Sequence, residues 1–381
     1  MNTSDFTQSP RAGLMALKDC LDAWIVGDAY PIWWQAGADR TLGGYHDLLD
    51  LTGTPLAGPK RARVQARQAF CYALAPRFGW PGPWEEAMRQ GLDFLEARYL
   101  RSDGLYRTAV PGAATPGGDD VDLYDQAFVL LALAAAARVG DTEATSAGEA
   151  LVDLLPAHPL GGFRSLRDAT LQANPNMHLF EAALAWVEAG GGARWSALAE
   201  GQAALALDHL IDPATGALSE TFADDWRAPE RNADRRIEPG HQFEWAWLLM
   251  RWSALAGEPR ALAAALGLIE TAESAGVDLA RGVAMNLLDG DLRPLDRAAR
   301  LWPQTERLKA ALLAAAMTGD ETLWTIAQRA AAGLTPYLDV PRAGLWRDQL
   351  TPGGVFVEEP ARASSFYHLV GAIAELDRAM E

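Results

Sequence analysis

Twelve stretches of this chain repeat alanine and leucine at spacings of three and four, and they alternate in character along the sequence. They lie near 12–27, 62–78, 83–98, 122–139, 143–154, 177–189, 193–209, 239–256, 259–274, 303–317, 320–335 and 364–379. That spacing is the period of an α-helix. Every second stretch, counting from 62–78, is apolar or aromatic on most faces, as in AFVLLALAAAA from Ala127 and FEWAWLLMRW from Phe243. A helix apolar on most faces is buried on most faces. The stretches between them, such as 83–98 and 193–209, carry a polar face. Strict alternation of inner and outer helices predicts an all-α fold, six helical hairpins closed into an (α/α)6 barrel. An open solenoid would repeat a consensus every roughly 34 or 40 residues, and none is visible. No comparable stretch alternates with period two, so strands are expected to be short and confined to loops. No interior linker rich in Pro, Gly or Ser divides the chain, so residues 1–381 read as one catalytic domain.

Charge excludes several functions. Fifty acidic against 33 basic residues leave −17, a surface that repels phosphate backbones and anionic lipid. No nucleic acid and no membrane are therefore expected as partners. The longest apolar run, Ala127–Ala137, is 11 residues and too short to span a bilayer. The first ten residues lack a basic segment followed by an apolar one, so no secretory signal is expected and the location reads as cytoplasmic. Cys20 and Cys71 make neither a disulfide framework nor a metal spacing. Only Lys18, Lys60 and Lys309 are lysines, so 33 − 3 = 30 basic residues are arginine; with so much alanine this reads as genomic base composition. What remains is small-molecule work or a protein partner.

Polar groups recur near the N-terminal ends of the inner helices: Arg67; Tyr124 and Asp125; His178; His241 and Glu244; Trp302 and Glu306; His368. In a closed ring the inner helices run parallel, so these groups meet at one mouth. Convergent polar groups on an apolar-walled cavity mark a binding site. Of the six histidines, His158 and His209 read as surface residues and His46 as structural, whereas His178, His241 and His368 open inner helices at matching positions. Glu244 and Trp247 follow His241 at three and six residues, on one helix face, and Glu181 stands in the same relation to His178. A carboxylate so placed can orient an imidazole. Fourteen tryptophans include Trp302 and Trp247 near the mouth, flat faces that suit the CH surface of a sugar ring. No HExxH, cysteine pair or calcium loop supports a metal, and Asp119-Asp120-Val121-Asp122 lacks the calcium-loop spacing. No GxGxxG or GxxxxGK[ST] supports a nucleotide, and no GxSxG supports a serine nucleophile; Ser364-Ser365 reads as a helix N-cap. Neither cofactor nor metal is expected.

Six segments, in order, carry a family resemblance: Arg63-Val-Gln-Ala-Arg67-Gln; Asp122-Leu-Tyr-Asp125-Gln-Ala-Phe; Asn174-Pro-Asn-Met-His178-Leu-Phe-Glu181-Ala; Glu238-Pro-Gly-His241-Gln-Phe-Glu244-Trp-Ala-Trp247; Leu301-Trp302-Pro-Gln-Thr-Glu306; and Ser364-Ser-Phe-Tyr-His368. Trp33-Trp34 and Gly43-Gly44-Tyr45 extend the match towards the N-terminus. The chain resembles the N-acylglucosamine 2-epimerase superfamily, which includes cellobiose 2-epimerases and mannose isomerases. The resemblance implies an (α/α)6 barrel and cofactor-free isomerisation or epimerisation at C2 of an aldose. It implies His241 and His368 as the acid/base pair and Arg67 as the group that stabilises the enediolate oxygen. It further implies His178, Asn174 and Glu244 in ring opening or hydroxyl binding, with Trp302, Glu306 and Trp247 lining the sugar site.

The residue types suit that chemistry. An imidazole with an ordinary pKa of about 6.5 can take and return the proton on C2 at neutral pH, and a fixed arginine can stabilise the developing oxyanion. Return of the proton to C1 makes a ketose, and return to the other face of C2 makes the epimer. The ending Ser-Ser-Phe-Tyr-His is closer to the mannose isomerase branch, so D-mannose to D-fructose isomerisation is the expectation and sugar 2-epimerisation the alternative. A phosphorylated substrate would want a basic pocket, for which Arg235 and Arg236 are candidates. An (α/α)6 glycoside hydrolase would need a carboxylate pair, which Asp125 with Glu244 or Glu306 could supply. A non-catalytic helical interaction protein completes the alternatives. A monosaccharide is the expected partner; a homodimer is left open.

Overall fold

The computed structural model describes residues 9–110, 119–168 and 170–381. Twelve long helices alternate between two layers. The outer layer holds α1 (Pro10–Trp24), α3 (Trp84–Tyr99), α5 (Thr142–Val152), α7 (Ala193–Leu205), α9 (Pro259–Thr271) and α11 (Glu321–Leu334). The inner layer holds α2 (Ala62–Leu74), α4 (Leu123–Arg138), α6 (Ala173–Glu188), α8 (Pro239–Ala256), α10 (Leu301–Thr318) and α12 (Ala363–Met380). Each inner helix packs on the next, and α12 packs back on α2, which closes the ring. Each outer helix from α3 onward packs on the inner helix before it, while α1 fills the last gap against α11 and α12. The barrel is the (α/α)6 ring that the alternation of apolar and amphipathic stretches predicts, and its inner helices are buried almost all round.

At three places helical turns extend beyond the sequence reading beside a proline. The first helix does not end near 27: helical turns, partly of the wider π type, run on from Ile25 to Gly37 and bury Tyr30, Ile32, Trp33 and Trp34. Pro31 lacks an N–H, and wider turns accommodate the missing bond while the apolar side chains hold the segment to the core. Helices α6 and α10 start two to four residues early, so Pro175 and Pro303 lie inside their first turns. A proline is tolerated there because first-turn N–H groups have no intrahelical partner. His158, expected at the surface, is buried, and its Nδ1 accepts from the Leu160 N–H at 3.2 Å.

Strands among the described residues are two or three residues long, as expected, and sit in the loops at one end of the ring. Several lead directly into inner helices: Lys60–Arg61, Leu171–Gln172, Ala299–Arg300 and Ala361–Arg362. A second device pins these loops. The side-chain amides of Gln65, Gln126, Asn176, Gln242 and Gln304 each accept from a loop N–H and donate to the same residue's carbonyl. Their partners are Tyr45, Tyr106, Phe163, Leu218 and Ala284. The amide satisfies a buried peptide that has no complete ladder of its own. The loops that frame the mouth are thereby fixed to the inner helices. Among the described residues no helix is long and apolar enough to cross a membrane.

Candidate active site

The N-terminal ends of the inner helices meet around one cavity of about 370 Å³. Arg67 (α2), Tyr124 (α4), Asn174 and His178 (α6), His241 and Glu244 (α8), Trp302 (α10) and His368 (α12) all line it. Each of the six inner helices thus contributes at least one of the residues singled out from sequence.

Two imidazoles flank one indole. The Trp302 ring lies 4.9 Å from the His241 ring and 5.6 Å from the His368 ring, centroid to centroid. Each imidazole is held by a carboxylate at Nδ1, which leaves Nε2 as its other nitrogen. His241 Nδ1 is 2.9 Å from both oxygens of Glu220, and His368 Nδ1 is 2.8 Å from Glu306 Oε1. Their charge states diverge. Burial opposes a charge on His241, but Glu220, with Glu238 and Glu244 near, overcomes it and carries the imidazole up to about 9. Burial also lifts the Glu220 carboxyl; contact through both oxygens is what an ion pair makes, so at neutral pH the pair is imidazolium and carboxylate. Burial pushes His368 down to about 4 against the pull of Glu306, and the Arg67 and Lys309 cations act in the same sense as burial. One ring is a cation and the other a free base.

The remaining wall is polar. Arg67 donates to the Ser364 carbonyl at 3.0 Å and to the Tyr124 hydroxyl at 2.7 Å, and its guanidinium carbon lies 4.0 Å from the centre of the Phe128 ring. His178 meets Glu181 at 3.2 Å and Glu244 at 3.9 Å. Burial holds His178 down at about 4, whereas His178, Lys309 and the Tyr367 hydroxyl together pull Glu181 down to about 2 against its own burial. Asn174 Oδ1 and both oxygens of Glu244 are buried without a hydrogen-bond partner. Burial and the neighbouring Glu306 push Glu244 well above the carboxylate range, so it is a neutral acid aimed at the cavity. Unpartnered buried polar atoms are costly, and a polyol would satisfy them.

Three sequence candidates stand elsewhere. Glu306 lies behind His368, fully buried, rather than on the cavity wall. Trp247 is six residues beyond His241, about 9 Å deeper along the helix. Its indole N–H donates to Glu375 at 2.9 Å, and it lines a separate cavity at the other end of the ring. Asp125 is fully buried beside the mouth and accepts the Arg63 backbone N–H at 3.2 Å, tying α4 to α2. Glu244 does not orient His241; that carboxylate is Glu220, which sits in a loop 21 residues upstream with no helical spacing to reveal it. Lys309, whose Nζ is 2.6 Å from Glu306 Oε2, was legible only as an i,i+3 pair. Ser365 does not cap α12 but donates to Asp348 at 2.7 Å. Arg235 and Arg236 are bonded to Asp212 and to backbone carbonyls, and neither lines the cavity.

Three sets of carboxylates and imidazoles among the described residues bring donor atoms within 4.8 Å: His178, Glu181 and Glu244; Glu220, Glu238 and His241; Glu244, Glu306 and His368. In each, Nδ1 is already bonded to a carboxylate of the set, and an ammonium occupies the second oxygen of Glu306. In the second and third sets a cation, the His241 imidazolium or the Lys309 ammonium, already occupies carboxylate oxygens that a metal would need.

Comparison with known proteins agrees with this geometry. The family model for N-acylglucosamine 2-epimerase (GlcNAc 2-epimerase) matches residues 43–372. A mannose-6-phosphate isomerase of Rhizobium meliloti (strain 1021) is 42% identical, covering 94% of this chain and 96% of that one. A D-mannose isomerase of Thermobifida fusca is 30% identical, covering 87% of each. A crystal structure of a D-mannose isomerase superposes with a TM-score of 0.86 at 21% identity, over 95% of this chain and 98% of that one, a likeness of fold.

Proposed function

The chain belongs to the N-acylglucosamine 2-epimerase family and is a sugar isomerase/2-epimerase, and we propose that it interconverts D-mannose and D-fructose through a cis-enediol(ate), without a cofactor. The observation that carries this reading is the pair of imidazoles in opposite charge states on either side of Trp302. Aldose–ketose conversion needs both at once. A free base takes the C2 proton and returns it to C1, and an acid protonates O1 as the proton on O2 leaves.

His368 is the base. Its Nδ1 faces Glu306, so Nε2 carries the lone pair into the cavity. His241 is the acid, kept protonated by Glu220. Arg67, fixed by Ser364 and Tyr124, stabilises the oxyanion of the enediolate. Six inner-helix N-termini at the mouth add positive potential of the same sense. As the pyranose opens, neutral Glu244 gives its proton to the ring oxygen and neutral His178 takes the proton from O1, with Asn174 as a further hydroxyl acceptor. Trp302 supplies the flat face for the sugar. Two sequence relatives are named mannose isomerases, of the free or the 6-phosphorylated sugar, and the free sugar is the reading favoured here. Epimerisation at C2 is the second reading, because an imidazolium across the cavity could reprotonate the opposite face of C2.

Proton NMR of the protein with D-mannose in D2O, without added metal or nucleotide, tests this. Fructose carrying solvent deuterium at C1 is the expected product. Glucose appearing first would replace the isomerase with the 2-epimerase. His368→Ala and His241→Ala should each lose nearly all turnover while remaining folded, and substantial activity in either removes that residue from proton transfer.

A further inference from the structure

The two imidazole–carboxylate pairs of the site have nearly the same geometry, 2.9 Å for His241–Glu220 and 2.8 Å for His368–Glu306. His241, His368 and Glu306 are buried, whereas Glu220 is half-buried. Their charge states are opposite. The second pair is the more deeply buried, and it also has a third partner of different sign. Glu220 lies in a loop, and Glu238 adds a second carboxylate beside it. Glu306 instead has an ammonium on its far oxygen, Lys309 Nζ at 2.6 Å.

Lys309 is 1% exposed and sits at the centre of the ring. On α10 its neighbour is Glu306; α8 presents Glu244 and Trp247, whose ring centre is 3.8 Å from Nζ; α6 presents Glu181. Beyond these, α12 adds His368, Tyr367 on Glu181 and Glu375 on Trp247, and Arg67 of α2 acts on His368. A buried ammonium is costly unless ion-paired. The chain writes 33 − 3 = 30 of its basic residues as arginine, yet places a lysine here. A compact point charge fits between Glu306 and the Trp247 face, where a planar guanidinium would demand more donors' worth of partners.

We propose that Lys309 is a positioning residue: by holding Glu306 as a carboxylate it keeps the His368 ring in the Nδ1–H form, with Nε2 turned to the cavity as a free base. This rests on the isomerase reading only for its kinetic consequence. Without the ammonium, the buried His368–Glu306 pair takes up a proton; on the imidazole it makes the imidazolium, and on Glu306 it turns the ring to the Nε2–H form, so that in both cases Nε2 loses its lone pair. If the pair's titration then reached pH 8, about a tenth of the enzyme would hold free base at pH 7.

The experiment compares Lys309→Met with wild type, with Lys309→Gln as the second variant should the first not fold. In the kinetic arm, D-mannose isomerisation at pH 7 falls about tenfold in kcat, KM stays within about threefold, and the acid limb moves up by more than one pH unit. Lys309→Met/Glu306→Gln, neutral at both positions, brings the limb back, because the amide oxygen still accepts from Nδ1. In the second arm, ¹⁵N spectra of histidine-labelled protein without substrate give a neutral Nδ1–H ring for His368 at pH 7 in wild type, and a ring protonated at Nε2, as imidazolium or Nε2–H tautomer, in Lys309→Met. This arm stands even if D-mannose is not the substrate. A neutral Nδ1–H ring in the folded single variant, or a loss of turnover equal at every pH, overturns the proposal.

Discussion

Glu220→Gln is the most informative single change to the acid side of the site. The amide is close to isosteric and its oxygen still accepts from His241 Nδ1, so the ring keeps its orientation and loses only its counter-charge. With Glu220 ionised the imidazole stands at about 9. Burial, the largest influence on it, then brings it to the ordinary 6.5 or below. A change of roughly 2.5 units corresponds to about 3 kcal/mol of preference for the imidazolium. The consequence depends steeply on pH. At pH 8 the protonated fraction falls from about nine-tenths to about three-hundredths, whereas at pH 6 it stays near three-quarters. The expected result in a D-mannose to D-fructose assay is therefore about a thirtyfold loss of kcat/KM at pH 8 and less than twofold at pH 6. The basic limb, near 9 in wild type, moves down to about 6.5. Equal losses at pH 6 and pH 8, or a basic limb that stays near 9, would refute the assignment of His241 as an acid charged through Glu220.

Three further predictions use other parts of the structure. His178 and His368 titrate near 4 when folded and near 6.5 when unfolded, so between those values the unfolded chain binds more protons and stability falls as pH drops from 6.5 towards 4. His241 acts in the opposite sense: its contribution is full below 6.5 and is lost as pH rises through 9. The urea midpoint should thus decline on both sides of a near-neutral maximum, and a midpoint flat from pH 4.5 to 7 would sink this account. Gln126→Leu leaves the Tyr106 N–H and C=O without their partners at 2.8 and 2.7 Å, a loss of about 2–4 kcal/mol measurable by urea unfolding. Trp247→Phe removes the donor to Glu375 but keeps a ring over Lys309; KM for mannose should stay within about twofold, and a large rise would return Trp247 to the sugar site.

The fold was legible because its signal is periodic and repeats twelve times. Apolar faces dictate burial, alternation dictates layers, and parallel inner helices dictate a shared mouth. What could not be read were interactions with no fixed spacing. The side-chain amides that pin the mouth loops stand 13 to 24 residues from their partners. Depth was equally hidden: spacing puts His241, Glu244 and Trp247 on one face of α8, but only the packed ring shows that the cavity ends before Trp247. Prolines misled at three boundaries because a first-turn proline and a helix-ending proline look alike in sequence.

Charge was the deepest of these gaps. His241 and His368 occupy equivalent places at the openings of two inner helices, and each has a carboxylate at Nδ1. From sequence they are interchangeable. They differ in their surroundings: Glu238 reinforces Glu220 around His241, whereas burial, with Arg67 and Lys309, opposes Glu306 around His368. These groups come from four inner helices, a helix cap and a loop, so no local motif contains the acid–base assignment. On the proposed mechanism, the direction of proton transfer in a ring of near-equivalent helices follows from how charges are distributed around the axis. A change to any one of those charges should therefore be read first as a shift along the pH axis and only then as a loss of rate.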